Sequence, residues 1–251
     1  MLAAVRKSEI RQILLRKKSV TVIELAEQFR VAEETARRDL KALEAEGLVD
    51  RTHGGAVLKD RVTSSFNRAA LKNLMRESKK AMSALAMPLI KNGFCVFLDS
   101  SSTVQFLLPE IQDMHLTIVT NALDIASECS HFPNINLITL GGTLNHQRRC
   151  YTGSITCESL EKFYFDAAVI SCRTLSMSEG LTDSDSEEAE IKHLAVMRSK
   201  QVIVMADYTK FDRISFAKIC DLNKIDVLIT DRPVSPAWKE FLGQNSIEYL
   251  V

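Results

Sequence analysis

The sequence predicts an α/β protein, with an N-terminal winged helix-turn-helix followed by a mostly parallel α/β domain. Three observations predict this. Residues 19–47 hold two apolar stripes at helical spacing, separated by a short break. Residues 48–57 hold two short extended runs around Gly54-Gly55. From about residue 76, strand-like apolar runs alternate with stretches of helical spacing, the pattern of buried parallel strands with helices on both faces of the sheet. A chain of 251 residues holds one large or two moderate domains. The expected organisation is a winged module over 1–57, a linker over 58–75 and the α/β domain over 76–251.

In the helix pair, Val22, Leu25, Ala26 and Phe29 give the first helix a core stripe. On a 3.6-residue period Ala36, Leu40 and Leu43 fall on one side of the second helix. Glu34, Arg38 and Lys41 fall on the opposite side, flanked by Thr35 and Arg37. A helix that buries one stripe and offers Thr, Arg and Lys on the other can enter a major groove, where guanidinium groups reach guanine edges or phosphates. A solvated surface helix has the same pattern, so the pair alone does not decide. The two runs around a Gly-Gly turn, with Arg51 and His53 beside it, have the form of a basic β-wing and favour DNA. Arg6, Lys7, Arg11, Arg16, Lys17 and Lys18 upstream are further candidates for phosphate contacts.

Composition constrains the rest. The 46% hydrophobic content is that of an ordinary globular protein, and the formal net charge is zero. Residues 1–61 carry 13 Lys/Arg against 10 Asp/Glu, a small excess, so DNA binding would depend on focused placement of charge. No signal peptide is visible, and no run approaches the roughly 20 apolar residues a membrane span needs. The six cysteines (95, 129, 150, 157, 172 and 220) lack metal-ligand or CxxC spacing, which predicts a reduced, cytoplasmic protein without metal or cofactor. Between residues 58 and 76 the chain is polar, with Arg68, Lys72 and Arg76 spaced by four, as in a linker running into a helix.

The strand-like runs are 95–98, 117–120, 136–140, 167–171, 201–206, 226–230 and 246–250, and 102–108 and 187–198 have helical spacing. Ligands bind outside the carboxyl ends of strands in such sheets, and four candidate positions lie there. Asp99, Ser100, Ser101, Ser102 and Thr103 follow the first run; consecutive hydroxyls and N–H groups at a helix start can cradle a phosphate, or form an ordinary cap and turn. Thr120-Asn121 can meet a ligand or cap the next helix. Gly141-Gly142 would let a ligand approach the backbone, or simply end a strand. Asp207 and Lys210 can orient and supply a phosphate-neutralising ammonium, or form a surface ion pair. Four such positions at successive strand ends favour one shared pocket.

These motifs resemble those of the DeoR family of bacterial transcriptional regulators over essentially the whole chain. The N-terminal part of the resemblance is the run TVIELAEQF through RRDLKALE and EGL, then R-x-HGGAV. In the rest of the chain it is LDSSST, Thr120-Asn121, LGG, Gly180-Leu-Thr182 and Asp207-Tyr-Thr-Lys-Phe211. The resemblance implies an effector domain similar in fold to ribose-5-phosphate isomerase, with phosphate-facing roles for Ser101, Ser102, Thr103 and Lys210. The chain departs from the family at four places: Arg30 stands for the turn glycine, Ala32 for the helix-capping Ser or Thr, Ser101 for the glycine of DSGST, and Ile170-Ser-Cys-Arg-Thr174 for an LGADG-like stretch. Arg173 in that stretch either adds a cation to the pocket or faces solvent.

Three functions compete. A regulator answering to a phosphorylated sugar, in this family most often a repressor of a carbohydrate operon, fits all the motifs. An isomerase fused to a DNA-binding module would need a general base, and the turn 171–174 carries no carboxylate. Glu187 and Glu188 can bond a sugar hydroxyl, or make i,i+4 contacts with Lys192. Cys172 lacks a base and reads as a core residue. The third function is constitutive DNA binding with a vestigial pocket. One winged module buries too little surface for tight binding to double-stranded operator DNA, so a homo-oligomer, a dimer or larger, is expected.

Overall fold

The computed structural model describes residues 3–17, 19–46, 49–58 and 75–251. The chain divides into two compact units between Met75 and Arg76. The linker expected over 58–75, with Arg68 and Lys72, lies outside the described residues apart from its two ends, as do the side chains of Arg16, Lys17 and Lys18.

The first unit runs α1 (Ala3–Lys17), β1 (Ser19–Thr21), α2 (Val22–Phe29), α3 (Glu33–Ala45), β2 (Val49–Thr52) and β3 (Gly55–Leu58). Thr21 starts α2 through a reciprocal cap: its Oγ1 accepts from the Glu24 N–H at 3.1 Å while its own N–H donates to the Glu24 carboxylate at 2.9 Å. The helix stops at Arg30, which adopts φ 52 and ψ 53, the left-handed conformation in which glycine is the unstrained residue. Ala32 begins α3 without a side-chain cap, so that helix starts with Glu33 and Glu34 against its dipole and nothing more. Ile10, Leu14, Leu25, Phe29, Ala36, Leu40, Leu43 and Val49 form the core of the unit.

The wing differs from the expected Gly-Gly turn. Thr52 pairs with Gly55, so the loop is His53-Gly54 alone and Gly55 is already strand. On its other side Gly55 pairs with Thr21 of β1, a third strand that gives the order β1-β3-β2.

The second unit begins with α4 (Arg76–Ala86), β4 (Cys95–Leu98), α5 (Leu108–Ile111), β5 (Leu116–Thr120), α6 (Leu123–Cys129), β6 (Ile135–Thr139), β7 (Thr143–Asn145), β8 (Cys150–Thr152) and α7 (Ser154–Leu160). It continues with β9 (Phe165–Ile170), β10 (Thr174–Ser176), β11 (Gly180–Asp183), α8 (Ser186–Met197), β12 (Ser199–Met205), β13 (Ala217–Cys220), β14 (Val227–Ile229), α9 (Pro236–Gln244) and β15 (Glu248–Leu250). Seven strands make one sheet in the order β15-β14-β12-β9-β4-β5-β6, every neighbouring pair parallel. All seven are among the strand-like runs of the sequence.

Alternate residues feed two cores. Val96, Leu98, Ile203 and Met205 pack on one face, and Phe97, Val202, Val204 and Trp238 on the other. The small antiparallel sheet β10-β11-β13 and the hairpin β7-β8 were not expected, because three- and four-residue strands leave almost no periodic signal. The helix expected after the Ser-rich run is instead a 3-10 turn over Val104–Leu107. The dipole support expected for a phosphate cradle is correspondingly small. No helix among the described residues is long and apolar enough to cross a membrane.

Candidate functional site

In the first unit Glu34, Arg37, Arg38 and Lys41 are exposed on α3 and Thr35 is half-buried, while Ala36, Leu40 and Leu43 face the core. Arg37 is held by Glu33 one turn earlier at 3.0 Å. Arg38 and Lys41 make no ion pair among the described residues. Arg51 and His53 are exposed on the wing. The first helix corrects an expectation. Arg6 is buried, and its Nε and Nη2 donate to the Asp39 carboxylate of α3 at 2.5 and 3.3 Å. Lys7 and Arg11 pair with Glu46. These cations clamp α1 to the middle and the C-terminal end of α3, and Arg6 balances Asp39, which faces inward and would otherwise be a buried, unbalanced charge.

In the second unit the strand sequence reverses direction across the sheet between β4 and β9: β5 and β6 continue on one side, β12, β14 and β15 on the other. The carboxyl ends of β4 and β9 flank a topological switch point, where open α/β sheets form their crevice. Asp99 sits there, 1% exposed, and holds both sides. Its Oδ1 accepts from the Ser101 N–H and its Oδ2 from the Ser171 N–H, both at 2.9 Å. Lys210, carried by the 3-10 turn after β12, donates to Ser171 Oγ at 2.7 Å and to the Cys172 carbonyl at 2.8 Å. The Asp207 carboxylate lies 4.0 Å from that ammonium and is engaged instead by the Thr209 N–H and hydroxyl at 3.0 and 2.5 Å. Three strand ends are thus joined through Ser171, a residue that no sequence motif singles out.

The hydroxyl loop is partly spoken for. Ser100 donates to Glu188 at 2.6 Å, Ser101 Oγ accepts from the Val104 N–H at 3.1 Å, and Thr103 is buried. Ser102 Oγ accepts from Lys79 of α4 at 3.0 Å, a buried lysine that no motif flagged. Thr120 Oγ1 donates to the Leu98 carbonyl and accepts from the Ala122 N–H, which is capping. Asn121 donates from Nδ2 to the Tyr151 carbonyl, while its buried Oδ1 has no hydrogen-bond partner among the described residues. Gly141 is open on its side-chain face, but Gly142 is not: a Cβ there would meet Thr156 Oγ1 at 2.1 Å. The second glycine therefore admits Thr156, whose hydroxyl donates to the Gly141 carbonyl, and not a ligand.

Beside this loop lies a buried charge network. Glu187 is exposed, its N–H capped by Asp185, and it is Glu188 that turns inward, toward Ser100, Cys150 and Arg148. Arg148, from the loop between β7 and β8, also lies 3.7 Å from Asp183 and 3.4 Å from Asp185. Lys192 passes over its i−4 neighbour Glu188 and pairs with Asp183 at 2.6 Å and Asp99 at 3.5 Å. Burial pushes the Lys192 pKa down, but Asp183, Asp99 and Glu188 outweigh it and raise the pKa overall. Burial pushes the Asp183 carboxyl up, and Lys192 and Arg148 reverse that and hold it below the ordinary carboxylate range. Arg173 is half-buried. Burial raises the Cys172 thiol to about 11, so at neutral pH it is a protonated core residue without nucleophilic use.

Comparison with known proteins is consistent along the chain. The model of the DeoR-like helix-turn-helix domain matches residues 6–62, and that of the DeoR C-terminal sensor domain matches residues 74–232. The chain is 35% identical over 250 residues to the uncharacterized HTH-type transcriptional regulator YulB of Bacillus subtilis strain 168, covering 99% of this chain and 96% of that protein. It is 33% identical over 232 residues to the HTH-type transcriptional repressor GlcR of the same organism, covering 92% and 90%. It is 31% identical over 232 residues to the L-fucose operon activator of Escherichia coli K12, covering 91% and 95%. Among solved structures it is similar to ribose 5-phosphate isomerase A of Methanocaldococcus jannaschii, with a TM-score of 0.41, 14% identity and 55% of each chain covered.

Proposed function

The chain belongs to the DeoR family of helix-turn-helix transcriptional regulators, and from that premise we propose that it represses a carbohydrate-catabolic operon and leaves its operator when a phosphorylated sugar binds the second unit. The observation that carries the effector half is the joining of the Asp99 loop and Lys210 through Ser171 at the switch point of the sheet. The loop offers N–H and hydroxyl groups and Lys210 offers a cation on one crevice, which suits a phosphate. Thr35, Arg38 and Lys41 serve as the groove-facing group, with Glu34 and Arg37 beside them, and Arg51 and His53 reach the backbone from the wing. A homo-oligomer supplies two such modules.

A gel shift on operator DNA, titrated with sugar phosphates, tests both halves. A named repressor and a named activator are both among the relatives, so the direction of the response is itself informative: the proposal requires that effector lower the fraction bound. Lys210→Ala should still bind operator. Loss of one charge-assisted hydrogen bond, worth about 1.5–3 kcal/mol, should raise the effector concentration needed by roughly tenfold to two-hundredfold. A response at wild-type concentrations would place the phosphate elsewhere.

Arg38→Ala should weaken operator binding without changing the unfolding midpoint. If Arg38 reads a base, discrimination at one position falls by about 1–3 kcal/mol. If it meets a phosphate, all sequences weaken alike and the salt slope falls by about 0.9. Unchanged affinity would remove α3 from the groove.

A further inference from the structure

The cations around the switch point are not equivalent. Arg148 is surrounded by Glu188, Asp183 and Asp185, and Lys192 by Asp183 and Asp99. Lys210 is satisfied by a hydroxyl and a carbonyl. Arg173 has none of these. It follows Cys172, whose carbonyl accepts from Lys210, and its backbone N–H donates to the Thr182 carbonyl at 2.9 Å, which fixes where it leaves the loop. Its guanidinium is half-buried and makes no hydrogen bond or ion pair among the described residues. The charged groups that act on it electrostatically are Arg213, Asp183, Asp207 and Arg148. Asp183 is already engaged by Lys192 and Asp207 by Thr209. Arg213 is anchored by its backbone N–H on the Leu175 carbonyl at 3.3 Å, two residues beyond Arg173, which brings a second arginine into the neighbourhood.

Burial, and after it Arg213, disfavours the charged form of Arg173. A half-desolvated cation beside a second cation is unfavourable by itself and becomes favourable when an anion joins them. Among the described residues neither Asp183 nor Asp207 makes a hydrogen bond or ion pair with Arg173, and the two arginines stand beside the strand ends where the proposed phosphate site lies. We infer that the effector carries a second anionic group besides its phosphate, a second phosphate or a carboxylate, and that Arg173 and Arg213 receive it. The inference rests on the effector reading given above. It makes the ligand class a sugar bisphosphate or a phosphorylated sugar acid.

The test is thermal stabilisation of the full chain, titrated with two matched pairs: fructose 6-phosphate against fructose 1,6-bisphosphate, and glucose 6-phosphate against 6-phosphogluconate. In at least one pair the member with two anions should bind about tenfold to a hundredfold more tightly. The pair that shows it tells phosphate from carboxylate. Arg173→Gln should bring that member to the affinity of its monophosphate partner and leave the partner unchanged. Arg213→Ala, at an exposed position where folding is not at risk, should reduce the same preference. Equal affinities within both pairs, or a preference that survives both substitutions, would overturn the inference. Monophosphate binding that Lys210→Ala weakens would in that case leave the effector reading standing. Binding of none of the four sugars would end both.

Discussion

Replacing Lys192 with methionine is expected to destabilise the second unit by about 3–5 kcal/mol, the usual cost of removing one partner from a buried ion pair. Methionine keeps most of the volume, so the loss is electrostatic. Asp183 and Asp99, 4% and 1% exposed, lose the ammonium that lies 2.6 and 3.5 Å from them. The pH dependence separates this from a packing defect. In the wild type the Asp183 pKa is depressed in the fold, so its contribution is present above the unfolded carboxyl value near 4 and is lost as pH falls through the folded value. Without Lys192 the buried Asp183 carboxyl favours protonation, its folded pKa rises, and the variant regains stability as pH falls. Urea midpoints for both proteins at neutral pH and near pH 5 should therefore show a gap that is widest at neutral pH. A constant gap would mean that Lys192 matters only for packing, and no gap that the pairs are not formed.

The adjacent glycines of the wing are expected to respond in opposite ways to the same substitution. At Gly55 a Cβ would stand 2.0 Å from the Val20 carbonyl oxygen and 2.9 Å from the Thr21 Cα, both backbone atoms that no rotamer change can move. Gly55→Ala must separate β1 from β3, a cost above about 3 kcal/mol in a unit with a small core, and operator binding should disappear with the fold. At Gly54 a Cβ would meet nothing within 4 Å, and Gly54→Ala should shift stability by no more than about 1 kcal/mol. Circular dichroism and gel shifts on the two variants check this. A folded, DNA-binding Gly55→Ala protein would mean that β1 is not part of the wing sheet.

The wing shows how much of the chain was legible and where legibility stopped. HGGAV marks a hairpin in the sequence because paired glycine between extended runs is a local signal, and the hairpin is present. That the second glycine exists to let another strand pass is invisible locally, because Thr21 lies far from it in the chain and close only in space. The same division runs through the molecule. Ala36, Leu40 and Leu43 of α3 and the seven sheet strands follow from periodicity, since burial of one stripe or of two alternating faces acts on residues within a single element.

Polar partners obey no such rule. Arg6 meets Asp39 33 residues away, Lys210 meets Ser171 39 away, and Ser100 meets Glu188 88 away. A buried charge takes whichever opposite group the fold brings within reach, so Glu188 turns inward while Glu187 stays in water, though the sequence offers both equally. The sequence by itself determined the two-part architecture, the basic outer face of α3 and which strand ends carry polar residues. Only the tertiary structure decided that Arg6 is a clamp, that Ser171 joins three strands and that Arg173 is unpaired among the described residues, because each depends on charges and hydrogen bonds balanced between distant segments.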